Sequence, residues 1–215
     1  IIRKAVLRNR DRMSSVAVIY PLARKMLHVI VRKDTGIQDL QQLAGKVVCI
    51  GSDGSGSLYT ALQLKALTNN RWIDAREAFP QCLTLLNRGS VDAVMVLAQP
   101  PVTSLKNKIG AELKLLDVSG IPGYESETIS SYSVPDNPVS NTSIFVRSLL
   151  LVDDSKLQKN IRINNKLVIG AADYLSKMST QDKDSICMQE SNNAGLSLSR
   201  SHKELCSLGY FGQDW

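Results

Sequence analysis

Residues 46–67 read KVVCIGSDGSGSLYTALQLKAL, and the pattern within this stretch decides the fold. The run from Val47 to Ile50 is short, apolar and rich in β-branched residues, which predicts a buried strand. Gly51 ends this run, and only small and polar residues occupy positions 52–57. Apolar residues then recur at roughly helical spacing from Leu58 to Leu67, which predicts a helix that begins close to Ser57. The stretch therefore predicts a strand, a glycine turn and a helix.

This turn has the chemistry of an anion pocket. The first N–H groups of a helix have no partner within it, and the helix dipole adds partial positive charge at the same end. Glycine lets a ligand approach the backbone, and serine hydroxyls add donors. We expect ligand contacts from Ser52, Gly54, Ser55, Gly56 and Ser57. The alternative is an ordinary β–α connection whose Ser and Asp side chains only cap the helix, and the pattern alone favours neither.

Length and composition are those of a soluble globular protein. The 215 residues are 43% hydrophobic and 21% charged, enough for one large domain or two small ones. The excess of 26 Lys+Arg over 20 Asp+Glu lies largely near the start. No aromatic residue is interleaved there, so we expect a solvated helix face and no nucleic-acid partner. The start lacks a methionine and an apolar leader, which suggests a processed chain or part of a longer one.

The cysteines and histidines indicate no metal site and no cofactor. Cys49 and Cys82 lie in apolar segments, so we expect buried core thiols. Cys187 and Cys206 lie 19 residues apart in a polar stretch and can form a disulfide if the compartment is oxidising. The two histidines have no clustered partners at ligand spacing. His28 lies within an apolar strand pattern, where a packed, hydrogen-bonded histidine is favoured over a catalyst.

Strand and helix patterns alternate along most of the chain. Apolar runs predict further strands at 16–20 (ending at Pro21), 26–32, 72–78, 91–98, 113–118 and 142–152. Helical patterns occur at 80–88, 102–109 and 157–175, with one or two helical turns at 37–45. Several strands are apolar along their whole length, as in a sheet covered on both faces. The alternation predicts an α/β unit with a mostly parallel sheet, followed by a Gly/Pro-rich hinge region after residue 118.

A series of short motifs from about residue 16 to 152 resembles a known family, the TAXI-type solute receptors of TRAP transporters. The motifs are Tyr20-Pro21, His28 within a strand, Gly36-Ile37, Asp39-Leu40, Leu43-Ala44-Gly45-Lys46-Val47, Gly54-Ser55-Gly56-Ser57, Gly89, Val91-Asp92-Ala93 and Pro100. The resemblance implies the type 2 periplasmic binding-protein fold, in which two α/β lobes close on a small solute. The glycine-serine turn of such receptors lies in the cleft between the lobes.

Carried over by position, the resemblance implies one complete lobe and part of another. Residues 45–125 would form the second lobe. Residues 1–44 and 126–215 would form a partial first lobe with hinge crossings and a C-terminal extension. The first strand-turn-helix of the family has no counterpart here, Ser57 stands where threonine is usual, and residues 153–215 match poorly.

The resemblance also implies a function. We expect an extracytoplasmic, periplasmic protein that captures a small anionic solute, an amino acid or a dicarboxylate, for the membrane subunits of a TRAP-type transporter. Gln99 at a strand end, Tyr20 and Tyr132 complete the expected ligand-binding set. The alternative is a ligand-sensing or protein-interaction module with the same fold. Catalysis is disfavoured, because no histidine or lysine is placed by sequence to activate Ser55 or Ser57.

Overall fold

The computed structural model describes residues 15–132, 140–153, 155 and 197–198, and for residues 19–23 and 197–198 it describes the backbone alone. The chain divides into two compact units. One runs from Arg24 to Val146, and the other combines Ile1–Ala23 with Arg147–Trp215. The first unit therefore holds residues 24–44 and 126–146 together with 45–125. The assignment of residues to two binding lobes stays a prediction.

The described part of the chain contains two α-helices and eight strands, named here in chain order. They are β1 (Val16–Arg32), β2 (Val47–Cys49), α1 (Gly56–Leu67), β3 (Ile73–Ala75), α2 (Phe79–Asn87), β4 (Ala93–Ala98), β5 (Leu113–Leu115), β6 (Ser126–Ile129), β7 (Asn141–Asp153) and β8 (Ser197–Leu198). Short 3₁₀ turns lie at Lys33–Thr35, Gln41–Leu43 and Thr103–Leu105. No helix within this described part is long and apolar enough to span a membrane.

The strands form one sheet with the order β3-β2-β4-β1-β7-β6, and β5 and β8 each pair with β1. The strands β3, β2 and β4 are parallel to one another. The strand β1 runs antiparallel to β4 and to β5. The apolar runs 47–50, 91–98 and 113–118, each predicted as a strand, supply β2, β4 and β5 of this sheet. The expectation of a mostly parallel sheet is wrong, because β1 pairs antiparallel with β4 and β5, and β6 pairs antiparallel with β7.

Both faces of this sheet are covered in the unit Arg24–Val146. Along β1, Leu27, Val29 and Val31 belong to the core cluster that contains the buried side chains of α1. Met26 and Ile30 belong to the cluster that contains those of α2. Successive side chains of a strand point to opposite faces, so the two helices cover opposite faces of the sheet. This layering explains why the central strands are apolar throughout.

Two local predictions are wrong. Pro21 does not end its strand, since β1 continues without interruption from Val16 to Arg32. Proline removes one N–H donor, but its fixed φ is compatible with an extended backbone, so a strand continues where that donor is not needed. The helix expected over 102–109 is only a 3₁₀ turn at Thr103–Leu105. A segment this short gains little from helix propagation.

The two apolar cysteines are buried, as predicted, but they are not free thiols. Cys49 and Cys82 are joined in a disulfide, with their Cα atoms 5.7 Å apart. The strand β2 and the helix α2 pack against each other, which brings residues 33 positions apart within bonding distance. The predicted Cys187–Cys206 disulfide and the predicted helix at 157–175 lie outside the described residues.

Candidate functional site

The glycine-serine turn lies at the carboxyl ends of three neighbouring parallel strands. It follows β2 directly, and the N–H of Ile50 donates to the carbonyl of Ala75 at 2.9 Å, so the ends of β2 and β3 lie side by side. Gln99 follows β4 and is exposed, while Arg76 follows β3. Ligands of open α/β sheets bind outside the carboxyl ends of the strands. The topology therefore places the predicted turn and Gln99 at the edge where a ligand is expected.

Gly51 makes the turn compact. Its φ is +95°, and a Cβ added there would lie 2.7 Å from Ser55 Oγ and 3.0 Å from Ser57 Cβ. Only glycine fits a backbone that is both left-handed and packed this closely. Gly51 was predicted at the end of the strand and was not among the expected site residues. The available signal was a glycine at the junction of an apolar strand and a small-residue turn.

Ser55 is the N-cap of α1. Its Oγ accepts a hydrogen bond from the N–H of Leu58 at 3.1 Å, and its backbone is extended, as N-cap residues usually are. The capping alternative therefore describes this serine correctly. A hydroxyl has one donor and two acceptor lone pairs, so Ser55 keeps an O–H that can donate.

Ser57 joins α1 to the sheet. Its Oγ accepts a hydrogen bond from the N–H of Leu97 in β4 at 3.0 Å. Like Ser55, this side chain holds the local fold in place with its oxygen. We expected ligand donors at both positions, and the structure adds a positioning role that the sequence analysis did not foresee.

Two backbone donors remain at the start of α1. The N–H groups of Gly56 and Ser57 are the first two of the helix, and neither has an acceptor among the described residues. Gly56 is exposed, and an added Cβ there would meet only Leu97 Cδ2, at 3.4 Å. The helix dipole adds partial positive charge at this position. The arrangement can bind an oxyanion through two backbone N–H groups.

An ion pair lies beside the turn. Arg76 Nη1 is 3.2 Å from Asp53 Oδ1, and both side chains are well exposed. Such a pair contributes little to stability, but it neutralises the one carboxylate of the turn. Arg76 was not among the residues predicted for the site. Its only signal was a basic residue near the end of a predicted short strand.

Tyr132 lies in the core rather than at the turn. It is 1% exposed, and its hydroxyl oxygen accepts a hydrogen bond from the N–H of Val102 at 2.7 Å. The hydroxyl also lies 3.0 Å from His28 Nε2. His28 Nδ1 lies 3.0 Å from the carbonyl of Met26, which fixes the proton on Nδ1 and leaves Nε2 to accept from the tyrosine. The side chain of Tyr20 lies outside the described residues.

His28 is a packed, hydrogen-bonded histidine, as predicted. Burial lowers the pKa of His28, although a hydrogen bond to the backbone of Met26 opposes this effect. Burial also raises the pKa of the Tyr132 hydroxyl. Both shifts favour the neutral pair, so the hydrogen-bonded chain is a structural feature of the core.

Asp92 explains one motif of the sequence in structural terms. Its Oδ2 accepts a hydrogen bond from the N–H of Val47 at 2.8 Å. Its own N–H donates to the carbonyl of Val47, also at 2.8 Å. The aspartate of the Val91-Asp92-Ala93 motif therefore joins the start of β2 to the start of β4. Within the described ranges, no three His, Cys, Asp or Glu side chains cluster as a metal site.

A model of the NMT1-like family matches residues 4–131. None of the curated proteins matches the chain significantly. One similar solved structure comes from work on glutathione import via GshT and the cystine ABC importer TcyBC of Streptococcus mutans. It is 19% identical to this chain, with a TM-score of 0.42. The match covers 73% of this chain and 59% of that one. Holo ArgBP from T. maritima is 17% identical, with a TM-score of 0.41 and coverage of 69% and 55%. This chain thus spans little more than half the length of those structures.

Proposed function

The chain belongs to the NMT1-like family, and from this premise we propose that it is the ligand-binding part of a solute-binding protein that serves a membrane transporter. Its fold is the type 2 periplasmic binding-protein fold, with one complete lobe and part of another. A fold alone does not decide between binding and catalysis, so the choice rests on the site. The surroundings of the turn support binding.

The observation that carries this proposal is that the N–H groups of Gly56 and Ser57 have no acceptor in the part of the chain that the structure describes. They lie at the start of a helix, at the carboxyl ends of β2, β3 and β4. An oxyanion is the natural partner of two such donors at the positive end of a helix dipole. A carboxylate-bearing solute, an amino acid or a dicarboxylate, fits this chemistry.

The neighbouring side chains complete the proposed site. The O–H groups of Ser55 and Ser57 keep one donor each, and the exposed amide of Gln99 can donate to a second oxygen of the solute. Ser52 and Gly54 line the same exposed turn. These residues would recognise polar groups of the solute while the two backbone N–H groups hold its carboxylate.

Catalysis by the turn serines lacks support in their surroundings. Ser55 Oγ and Ser57 Oγ each accept a backbone N–H, and among the described residues no histidine or lysine bonds to either. An activated serine needs a base within hydrogen-bond reach. The geometry favours a binding role.

We propose an extracytoplasmic location and a transporter partner. A disulfide in the unit Arg24–Val146 suits an oxidising compartment. The motif order between Tyr20 and Pro100 supports a TRAP-type transporter of the TAXI kind. ABC amino-acid transporters are the alternative, and identifying the membrane subunit that the protein binds would distinguish the two.

Native mass spectrometry of the complete protein tests the proposal. The protein is purified without unfolding, and its mass is compared with that of the same sample after denaturation. We expect the native mass to exceed the denatured mass by that of one small organic acid or amino acid. A protein that carries no solute and binds none from a panel of amino acids and dicarboxylates would contradict the proposal and favour the interaction-module alternative.

A further inference from the structure

The Cys49–Cys82 disulfide lies directly behind the candidate site. Cys49 is the last residue of β2, and Ile50 alone separates it from Gly51, where the turn begins. Cys82 is the fourth residue of α2, on the opposite face of the sheet from α1. The bond therefore ties the strand that carries the turn to the helix that covers its other side.

The bond is fully enclosed. Cys49 is 0% exposed and Cys82 is 1% exposed. Apolar side chains of α2 and β4, including Leu83, Leu86 and Val94, belong to the same core cluster. A reductant in solution cannot reach either sulfur while α2 stays in place.

We propose that this buried disulfide is redox-sensitive. Its oxidised form stabilises the unit Arg24–Val146 and orders the turn, so both properties depend on an oxidising compartment. Without the bond, α2 would be held by side-chain packing and by a few hydrogen bonds, such as that from Arg32 Nη1 to the carbonyl of Leu86 at 2.7 Å. The carboxyl end of β2 would lose its covalent attachment to the layer below it. The inference does not rest on solute binding, because its readouts need no solute.

Reduction of the Cys49–Cys82 disulfide follows ordinary thiol–disulfide exchange, with a small dithiol as the reductant. A thiolate of the dithiol attacks one sulfur, the Cys49–Cys82 bond breaks, and a mixed disulfide forms. The second thiol of the reductant then releases the protein as two thiols, and the reductant leaves as its own disulfide. Two electrons and two protons pass from the dithiol to the cysteines. Burial requires that α2 open before the first attack, so reduction should be slow in the folded protein.

The test compares the oxidised and reduced forms of the complete protein in a Cys187→Ala/Cys206→Ala background, where only Cys49 and Cys82 can react. The two forms have the same side chains, so cavities do not confuse the comparison. The two cysteines lie 33 positions apart in the sequence. Removing a cross-link over that distance gives the unfolded chain more freedom, so reduction should raise the unfolding equilibrium constant by roughly 500-fold in the chain-entropy model. We also expect the reduction rate to rise steeply with added denaturant. Should the background variant not fold, the wild-type chain with alkylation mapped to each cysteine replaces it.

Hydrogen exchange provides the readout at the turn. The amides of Leu58 and Leu97 are bonded by Ser55 Oγ and Ser57 Oγ, so their protection reports the order of the turn. We expect both amides to exchange faster in the reduced form. Two free thiols at positions 49 and 82 in protein from an oxidising compartment would overturn the proposal. Equal unfolding constants in the two forms, unchanged exchange at the turn, or reduction of the folded protein as fast as of the unfolded chain would also overturn it.

Discussion

Replacing Gly51 with alanine tests the geometry of the turn against a matched control at Gly54. Both glycines have left-handed φ values, +95° and +77°, so both substitutions carry a backbone cost of about 1–2 kcal/mol. They differ in their surroundings. A Cβ at position 51 would lie 2.7 Å from Ser55 Oγ, whereas a Cβ at position 54 would meet nothing within 4 Å.

The clash gives the expected difference between the two variants. Moving Ser55 Oγ away removes the N-cap bond to Leu58, which costs about 1 kcal/mol. Displacing Ser57, whose Cβ would be 3.0 Å away, weakens its bond to Leu97 by about 1 kcal/mol more. We therefore expect Gly51→Ala to lower the free energy of unfolding by about 2 kcal/mol more than Gly54→Ala does.

Equilibrium urea unfolding followed by circular dichroism measures both variants beside the wild type. The slope of the unfolding free energy with urea should stay unchanged, since the surface exposed on unfolding is the same. Equal losses in the two variants would refute the reasoning. In that case the close packing between Gly51 and the serines would contribute nothing measurable to the turn.

Substitutions at three further positions test other parts of the same unit. Burial holds the folded pKa of His28 below the ordinary value of 6.5, so the unfolded chain binds a proton there before the folded protein does. Wild type should therefore lose stability relative to His28→Phe as pH falls below 6.5, as measured by unfolding at several pH values. A stability difference that does not change with pH would contradict this. Asp92→Ala should lower the free energy of unfolding by about 1.5–3 kcal/mol, because the N–H of Val47 loses a charged acceptor. Asp92→Asn keeps an oxygen that can accept this bond, so it should cost less in the same urea assay. Equal costs for the two variants would argue against the bond. Arg32→Ala should destabilise the unit by about 1 kcal/mol, because it removes the hydrogen bond from Arg32 to the carbonyl of Leu86. Amide hydrogen exchange in the last turn of α2 should become faster in this variant. Unchanged exchange there would count against a role of Arg32 in holding α2.

The strand, turn and helix of residues 46–67 could be predicted because their signals are local. The apolar run up to Ile50 matches β2, and the predicted start near Ser57 agrees with a helix that begins at Gly56. Pro80 lies in the first turn of α2, where its missing N–H costs nothing. Each of these signals depends on neighbouring residues, which a single sequence displays directly.

Non-local pairings could not be read from the sequence. The disulfide between Cys49 and Cys82 depends on how α2 packs on β2, and both residues look like apolar core positions in a linear reading. The long strand β1 continues through Pro21, although a proline usually predicts the end of a strand. Both outcomes follow from tertiary structure.

The place of the turn in the fold was predicted, the hydrogen bonds of its serines were not, and its role as a ligand site stays a prediction. The turn lies at the expected edge of the sheet, yet Ser55 and Ser57 use their oxygens within the protein. Composition cannot tell whether a serine caps a helix or faces a ligand, because the same hydroxyl does both. Tyr132 was expected in the ligand-binding set, whereas its hydroxyl contacts His28, which lies 104 positions away in the sequence.

Solute binding by a Gly56→Val variant of the complete protein tests the central claim most directly. Gly56 has no left-handed φ, and an added Cβ would meet only Leu97 at 3.4 Å, so the variant should fold. Ala66→Val places the same side chain on an exposed position of the same helix, away from its start, and is the matched control. Unfolding of both variants confirms that they remain native.

Isothermal titration uses the solute that native mass spectrometry identifies. We expect wild type and Ala66→Val to bind alike. Gly56→Val should lose at least one hydrogen bond to the carboxylate, worth about 1.5–3 kcal/mol, so its Kd should rise by roughly 10- to 150-fold or more. If Gly56→Val binds the solute as tightly as wild type does, the turn is only a connection between β2 and α1, and the solute lies elsewhere.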